Sequence, residues 1–254
     1  MTAHVASPLQ IVSPRILRSF PALGCGMSTR AGGVSPPPFG MNLSLRVGDE
    51  VGNVERNKAL FFEALGIAPM QIASPVQCHS AVVKRVTTPG TYEDCDALMT
   101  NVPGLYLSIL VADCVPILMY DPESRAVAAV HAGWKGSAEE IASVTIERLR
   151  KEFGSLPGHV VAFIGPSAGS CCYEVGREVA LRFNHDVREE RGGRTFLNLK
   201  LENRNQLLKA GLSNGNIETE NSCTVCSPGI YHSYRREGKR SGRMMAIIGL
   251  KERD

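Results

Sequence analysis

This 254-residue sequence contains no apolar run long enough to span a bilayer and no recognisable secretory signal, so the cytoplasm is the expected address and no membrane role is expected. A net charge of +3 is too small to argue for nucleic acid, and the cations are scattered apart from Arg235-Arg236 and Lys239-Arg240. No repeat, low-complexity tract or linker divides the chain, which predicts one domain over residues 1–254. Cys223-Thr-Val-Cys226 has no second CxxC and no HxxxH pair at finger spacing, so it is a weak zinc signal even with His232 nearby. In a reducing compartment the eight cysteines should mostly be free thiols rather than a disulfide framework. What remains, 43 % hydrophobic and 21 % charged residues, is the composition of an ordinary globular protein with a proper core.

The stretch from Val111 to Trp134 organises the rest. The apolar run Leu105 to Ala112 follows Gly104 and breaks at Asp113-Cys114, as a buried strand does when it ends at a reactive spot. Pro116 to Tyr120 then turns through Asp121-Pro-Glu-Ser124 into Ala126 to Val130, which predicts a hairpin. That hairpin places Cys114 and His131 at nearby ends of adjacent strands, close enough to serve one metal ion. Thiolate with imidazole is a borderline-soft pair that zinc prefers and copper accepts. Ala132-Gly-Trp-Lys-Gly136 is too glycine-rich for regular structure, and Ser137-Ala-Glu-Glu140 reads as the capping box of a helix running to about Phe153 and ended by Gly154. Lys135, just before that helix, is therefore expected to help form an anion site.

Elsewhere, Cys25 to Gly40 is rich enough in glycine and proline to be a loop, with Arg30 and the amides of Gly32 and Gly33 either holding an anionic ligand or lying on a solvated surface. Met41 to Val47 alternates like a short strand, and a helix opens near Gly52-Asn53 and closes at Gly66. His79 lies on an extended segment that passes near the hairpin and is the candidate third ligand, with Cys78 facing the other way. Asp96 or Asp113 is placed to orient a ligand histidine, or else both cap local turns. The adjacent Cys171 and Cys172 read as small buried residues.

Ala112-Asp-Cys-Val-Pro-Ile-Leu118 with Ala129-Val-His-Ala-Gly-Trp-Lys-Gly136 resembles the signature of the laccase-domain family, named for multicopper polyphenol oxidases and also regarded as purine nucleoside phosphorylases. The resemblance extends through Arg30-Ala-Gly-Gly-Val-Ser35, Met41-Asn-Leu-Ser44, Gln77-Cys-His79, Asp96 to Thr100, Cys171-Cys-Tyr-Glu-Val-Gly176, Cys223-Thr224 and Ser233-Tyr-Arg-Arg236. It implies an α/β (α+β) fold, a four-layer α/β/β/α sandwich with mixed sheets. It further implies a metal held by His79, Cys114 and His131, phosphorolysis of adenosine, inosine and methylthioadenosine, and adenosine deamination as a side activity. The family's QVHG stands here as Gln77-Cys-His-Ser80, and Ser167 replaces the first cysteine of GPCIGPCCYEVG.

The expected chemistry is that of a zinc with three protein ligands and an open fourth position, with Arg30, Lys135 and Arg235 as cations for phosphate and Asn42 as a hydrogen-bonding partner for ribose or base. Two other readings compete. In a cysteine hydrolase, acting for example on a cell-wall precursor, Cys114 would be the nucleophile and His131 its base. A copper polyphenol oxidase is disfavoured because six histidines are too few for a four-copper set. A structural zinc in a non-catalytic module would need a fourth ligand, with Cys78 or Cys95 as the residues to inspect.

Overall fold

The computed structural model describes residues 8–252. Its central strands are the apolar runs on either side of Asp113. Tyr106–Val111 ends, the chain turns through Ala112, Asp113 and Cys114, and Val115–Asp121 begins in a different sheet. The hairpin is present. Val115–Asp121 pairs antiparallel with Ala126–Ala132, Pro116 lying opposite His131 and Val115 opposite Ala132. Its reversal is set by Asp121, whose carboxylate accepts from the Glu123 amide (3.0 Å) and the Ser124 hydroxyl (2.6 Å).

Two six-stranded sheets result, each mixed. The first runs Ile11–Val12, Leu23–Ser28, Met244–Leu250, Tyr106–Val111, Ile72–Pro75, Gly90–Tyr92, antiparallel as far as Tyr106–Val111 and parallel beyond it. The second runs Ile217–Thr219, Val161–Ile164, Val115–Asp121, Ala126–Ala132, Ala97–Thr100, Val83–Arg85, parallel only at its two edges. A small three-stranded sheet, Glu174–Val175, Arg194–Leu197 and Arg188–Arg191, stands beside them.

Side-chain alternation builds the layers. Leu107, Ile109 and Val111 face Leu118, Tyr120, Val127 and Ala129 across the space between the sheets, while their neighbours point outward. Tyr106, Met245 and Ile247 turn away from that interface onto Phe61 and Phe62 of helix Val51–Leu65. Val115, Ile117, Met119, Ala128 and Val130 turn the other way, onto Ile141, Ala142, Ile146 and Leu149 of helix Ile141–Phe153 and onto Leu199 and Leu207 of helix Leu199–Lys209. Helix, sheet, sheet and helix give the four-layer α/β/β/α sandwich, and both hairpin strands are buried on both faces. Both long helices stop where expected, at Gly66 (φ 67°) and Gly154 (φ 72°), each in the left-handed conformation that glycine takes most readily. Among the described residues, no helix is long and apolar enough to cross a membrane.

Several local expectations are corrected. Met41 to Val47 forms no strand: the Asn42 side chain accepts from the amides of Ser44 and Arg243, taking the place of a ladder. Cys25 to Ser28 belong to a strand rather than to the loop after it. Ser137 caps nothing. It lies inside a short helix, Trp134–Ala138, with its hydroxyl accepting from Asn203 (2.9 Å), and the long helix starts only after Glu140 at φ 56°. The glycines flanking Trp134 therefore do not prevent a helical turn.

Leu118 is fully buried between the two sheets. Leu118→Ala is expected to destabilise the protein by about 2–5 kcal/mol, read as a lower denaturant midpoint at unchanged m-value.

Candidate metal centre and its cleft

Three donors meet where the chain passes between sheets. The ligand atoms of His79, Cys114 and His131 all lie within 4.8 Å of one another, and the two imidazole rings sit edge to face with centroids 4.9 Å apart. Cys114 ends the crossover, His131 lies near the end of the strand opposite, and His79 arrives on the segment between Ile72–Pro75 and Val83–Arg85. Gly133 leaves room for them: a Cβ there would stand 2.9 Å from His79 Cδ2 and 3.3 Å from Cys114 Sγ.

Asp96 holds two of the three in place. Fully buried, it accepts from His131 Nδ1 (2.7 Å), from the amides of Cys78 (3.2 Å), His79 (3.0 Å) and Ser80 (2.6 Å), and from the Ser80 hydroxyl (2.9 Å). Burial opposes its charge, but these bonds, led by the one from His131, hold the carboxyl well below the usual range. A charged acceptor at Nδ1 leaves Nε2 as the free nitrogen of His131. The same amide bonds keep His79 at φ 62°, a left-handed conformation costly for a residue with a Cβ. Of the two aspartates considered, Asp96 orients the histidine. Asp113 (φ 82°) instead ties the turn before Cys114 to distant loops, accepting from Thr224 Oγ1 (2.6 Å), Ser233 Oγ (3.0 Å) and the Arg235 amide (2.6 Å).

The electrostatics suit a thiolate. Burial raises the cost of charge at Cys114, yet the neighbouring His131 charge and hydrogen bonds from both histidines bring the thiol down to about 6. Burial likewise opposes charge on His131, and Cys114 with Asp96 overcomes it, lifting the imidazole to about 9. One thiol and two imidazoles, one of them backed by a carboxylate, fit a borderline-soft cation, and nothing else among the described residues completes a fourth protein ligand. Cys78 turns its sulfur to Asp96 (3.4 Å) and Cys95 is buried with its sulfur on the Tyr92 carbonyl.

The centre opens into a cleft of about 850 Å3. Its walls include Trp134, Tyr173 and Tyr234, and its cations are Arg46, Lys58, Arg235 and Arg243. The Arg235 guanidinium lies 5.0 Å from the Tyr173 ring centroid and that of Arg243 lies 5.5 Å from the Tyr234 ring centroid. Burial lowers the pKa of both Lys58 and Arg243 from their ordinary values.

Of the expected substrate-binding residues, only Arg235 lines this cleft. Arg30 points elsewhere, donating to Glu237 (2.7 Å) and to the carbonyls of Pro228 and Pro38. Asn42 is fully buried, with its amide nitrogen on Asp49 and the Ser44 carbonyl. Lys135 is exposed on the short helix, its ammonium 5.7 Å from the Trp134 ring centroid. Arg30 and Asn42 are engaged within the protein, whereas Lys135 stands outside the cleft lining beside Trp134, which does line it. His232 is buried beside Gly242, away from the CxxC cysteines. Arg243, Lys58 and Tyr173 went unmarked in the sequence. The one available signal was Arg243 at the mouth of an otherwise apolar final strand.

A mixed α/β sandwich whose cleft ends in two imidazoles and a thiol defines a protein able to hold a single metal ion open to ligands. The chain belongs to the multi-copper polyphenol oxidoreductase laccase family, whose model matches residues 24–251. It is 39 % identical over 232 residues to a protein of Deinococcus radiodurans named purine nucleoside phosphorylase, covering 89 % of each. Among solved structures it resembles YlmD from Geobacillus stearothermophilus (TM-score 0.89, 30 % identity, 97 % of this chain and 100 % of that one). It also resembles a Bacillus licheniformis hypothetical protein, YfiH (TM-score 0.88, 32 % identity, covering 97 % of this chain and 98 % of that one).

Asp96→Asn loses the charge behind His131 and puts an amide NH2, which cannot accept, in place of one of two accepting oxygens; metal affinity, measured by chelator competition, is expected to fall roughly 10–100-fold. Arg30→Ala removes one of the two guanidinium groups on Glu237, leaving that of Arg236, and should cost about 1–3 kcal/mol of unfolding free energy while leaving metal affinity unchanged.

Proposed function

We propose that this protein is a zinc-dependent purine nucleoside phosphorylase acting on adenosine, inosine and S-methyl-5'-thioadenosine, with adenosine deamination as a second activity. The observation that carries it is the convergence of His79, Cys114 and His131 at the end of an open, aromatic-walled, cationic cleft. Relatives named purine nucleoside phosphorylase support the same assignment. The enzyme is read as a single domain working in the cytoplasm on free nucleoside and phosphate.

His79, Cys114 and His131 would hold the ion, and zinc in that position supplies Lewis acidity towards an oxygen of substrate, phosphate or water. The chain's own residues do the rest. A cleft of this volume accepts a nucleoside together with phosphate. Trp134 and Tyr173 offer faces for the purine, and Arg235 and Arg243 offer charge for the phosphate. In phosphorolysis a phosphate oxygen bonds to C1′ of the ribose as the bond from C1′ to the base nitrogen breaks, and the base leaves with a proton. Holding the anion in line with C1′ and neutralising its charge are the tasks of the two arginines. Burial and the nearby Cys114 keep the Tyr173 phenol protonated, so it is a donor rather than a base. In deamination, water adds at C6 of adenosine and ammonia leaves.

One observation favours a second reading. Cys114, His131 and Asp96 also have the order of a nucleophile, its base and an orienting carboxylate, as in a cysteine hydrolase. That reading gives no task to His79, which shares the thiol with His131, and the metal reading does.

Metal-quantified protein incubated with each nucleoside should release free base only when phosphate is present, and adenosine alone should yield inosine and ammonia. Single alanine replacements of His79, Cys114 and His131 are each expected to empty the centre and lower turnover roughly a hundredfold or more. Full metal content and turnover in all three would defeat the proposal, and trapping of Cys114 as a thioester would favour the hydrolase. Arg235→Gln should raise the phosphate KM roughly tenfold with a smaller change in kcat.

A further inference from the structure

A second group of sulfurs lies on the loops beside the cleft and has no part in the chemistry above. Cys171 and Cys172 sit between strand Val161–Ile164 and the small sheet, and Cys223 and Cys226 lie about fifty residues later, after strand Ile217–Thr219. Their four Sγ atoms all lie within 4.8 Å of one another, with Cys172 to Cys226 at 3.3 Å and Cys171 to Cys226 at 3.5 Å. Contrary to the sequence-based expectation, Cys171 is exposed and Cys172 only half-buried, so they are not core fillers.

We propose that Cys171, Cys172, Cys223 and Cys226 form a closed four-sulfur site for one zinc ion, separate from the centre at Cys114. A tetrahedral ion with Zn–S bonds of about 2.3 Å separates its sulfurs by about 3.8 Å, inside the span these four already occupy. The surroundings are those of thiolates. The Gly169 amide donates to Cys223 Sγ (3.2 Å), and the amides of Val225 and Cys226 point to the same sulfur, as a Cys-x-x-Cys turn arranges them. A Cβ at Gly169 would come within 3.3 Å of Cys171 Sγ, so glycine lets that amide approach. The buried Lys200 ammonium, held by the carbonyls of Glu220 (3.0 Å) and Ser222 (2.9 Å), supplies a positive charge beside the group. A divalent cation takes the four sulfurs as thiolates, so its binding releases the thiol protons.

With all four positions taken by sulfur the site would be structural. It would clamp two loops that both reach the cleft: Tyr173 follows Cys172, and Thr224, next to Cys223, donates to Asp113. A lone CxxC gave a weak signal because its complement is a vicinal pair rather than a second CxxC.

The test is metal analysis of full-length protein produced with added zinc and purified under reducing conditions. Cys226→Ser and Cys223→Ser should each lose about one equivalent of zinc per chain relative to the unaltered protein and retain the equivalent that Cys114→Ala loses. Cobalt-substituted Cys114→Ala should keep an intense thiolate-to-cobalt charge-transfer absorption, and Cys226→Ser should keep only the weaker absorption of a single thiolate. Because a variant that fails to fold would also lose metal, the unaltered protein is alkylated with iodoacetamide and mapped by mass spectrometry, with the four cysteines protected until a chelator is added. Unchanged zinc content in folded Cys226→Ser, equal labelling with and without chelator, or a disulfide joining Cys226 to Cys171 or Cys172 in zinc-supplied protein would each overturn the proposal. None of these readouts depends on which nucleoside, if any, the cleft turns over.

Discussion

A carboxylate without water must find every partner inside the protein, and Asp96 is such a carboxylate. It finds them in the amides of Cys78, His79 and Ser80 and in the ring of His131. One group thereby bends an exposed segment into a conformation that a residue with a Cβ avoids and fixes the ring of a buried histidine. The cost of leaving that charge unpaired, several kcal/mol for a buried ion, exceeds the strain of about 1–3 kcal/mol at His79. The third donor is consequently delivered by electrostatics, whereas the other two are delivered by the sheet.

The sheet's contribution is topological. Because Tyr106–Val111 and Val115–Asp121 belong to different sheets, the residues between them stand at the rim of the sandwich, where backbone leaves the ladder and a side chain can face a cleft. Asp113 keeps this turn from relaxing by bonding to Thr224, Ser233 and the Arg235 amide, more than one hundred positions away in sequence. Both aspartates act through other residues, and between them they connect the donor set to loops from most of the chain.

This division explains what was legible in the sequence. The hairpin, its turn, its facing ends and the glycine stops of the two long helices depend on neighbours within a few residues, and the apolar pattern announced them. Asp96 was visible only as one of two candidates, because an aspartate that orients a ligand histidine and one that caps a local turn look alike in sequence. Arg30 and Asn42 look alike in sequence whether they meet a ligand or a protein group, and only the tertiary contacts with Glu237 and Asp49 separate the cases. Cys171 and Cys172 were misjudged for the same reason, since their companions lie on a loop that only the fold brings near.

Gly133 draws these threads together at a position with no functional group at all. Its backbone is ordinary (φ −72°), so flexibility is not what it provides. It provides emptiness: the volume of a methyl group, bordered by His79, Cys114 and His131. Even alanine would press on the His79 ring and the sulfur, so what the centre asks of this neighbour is a hydrogen atom where any other residue has a carbon.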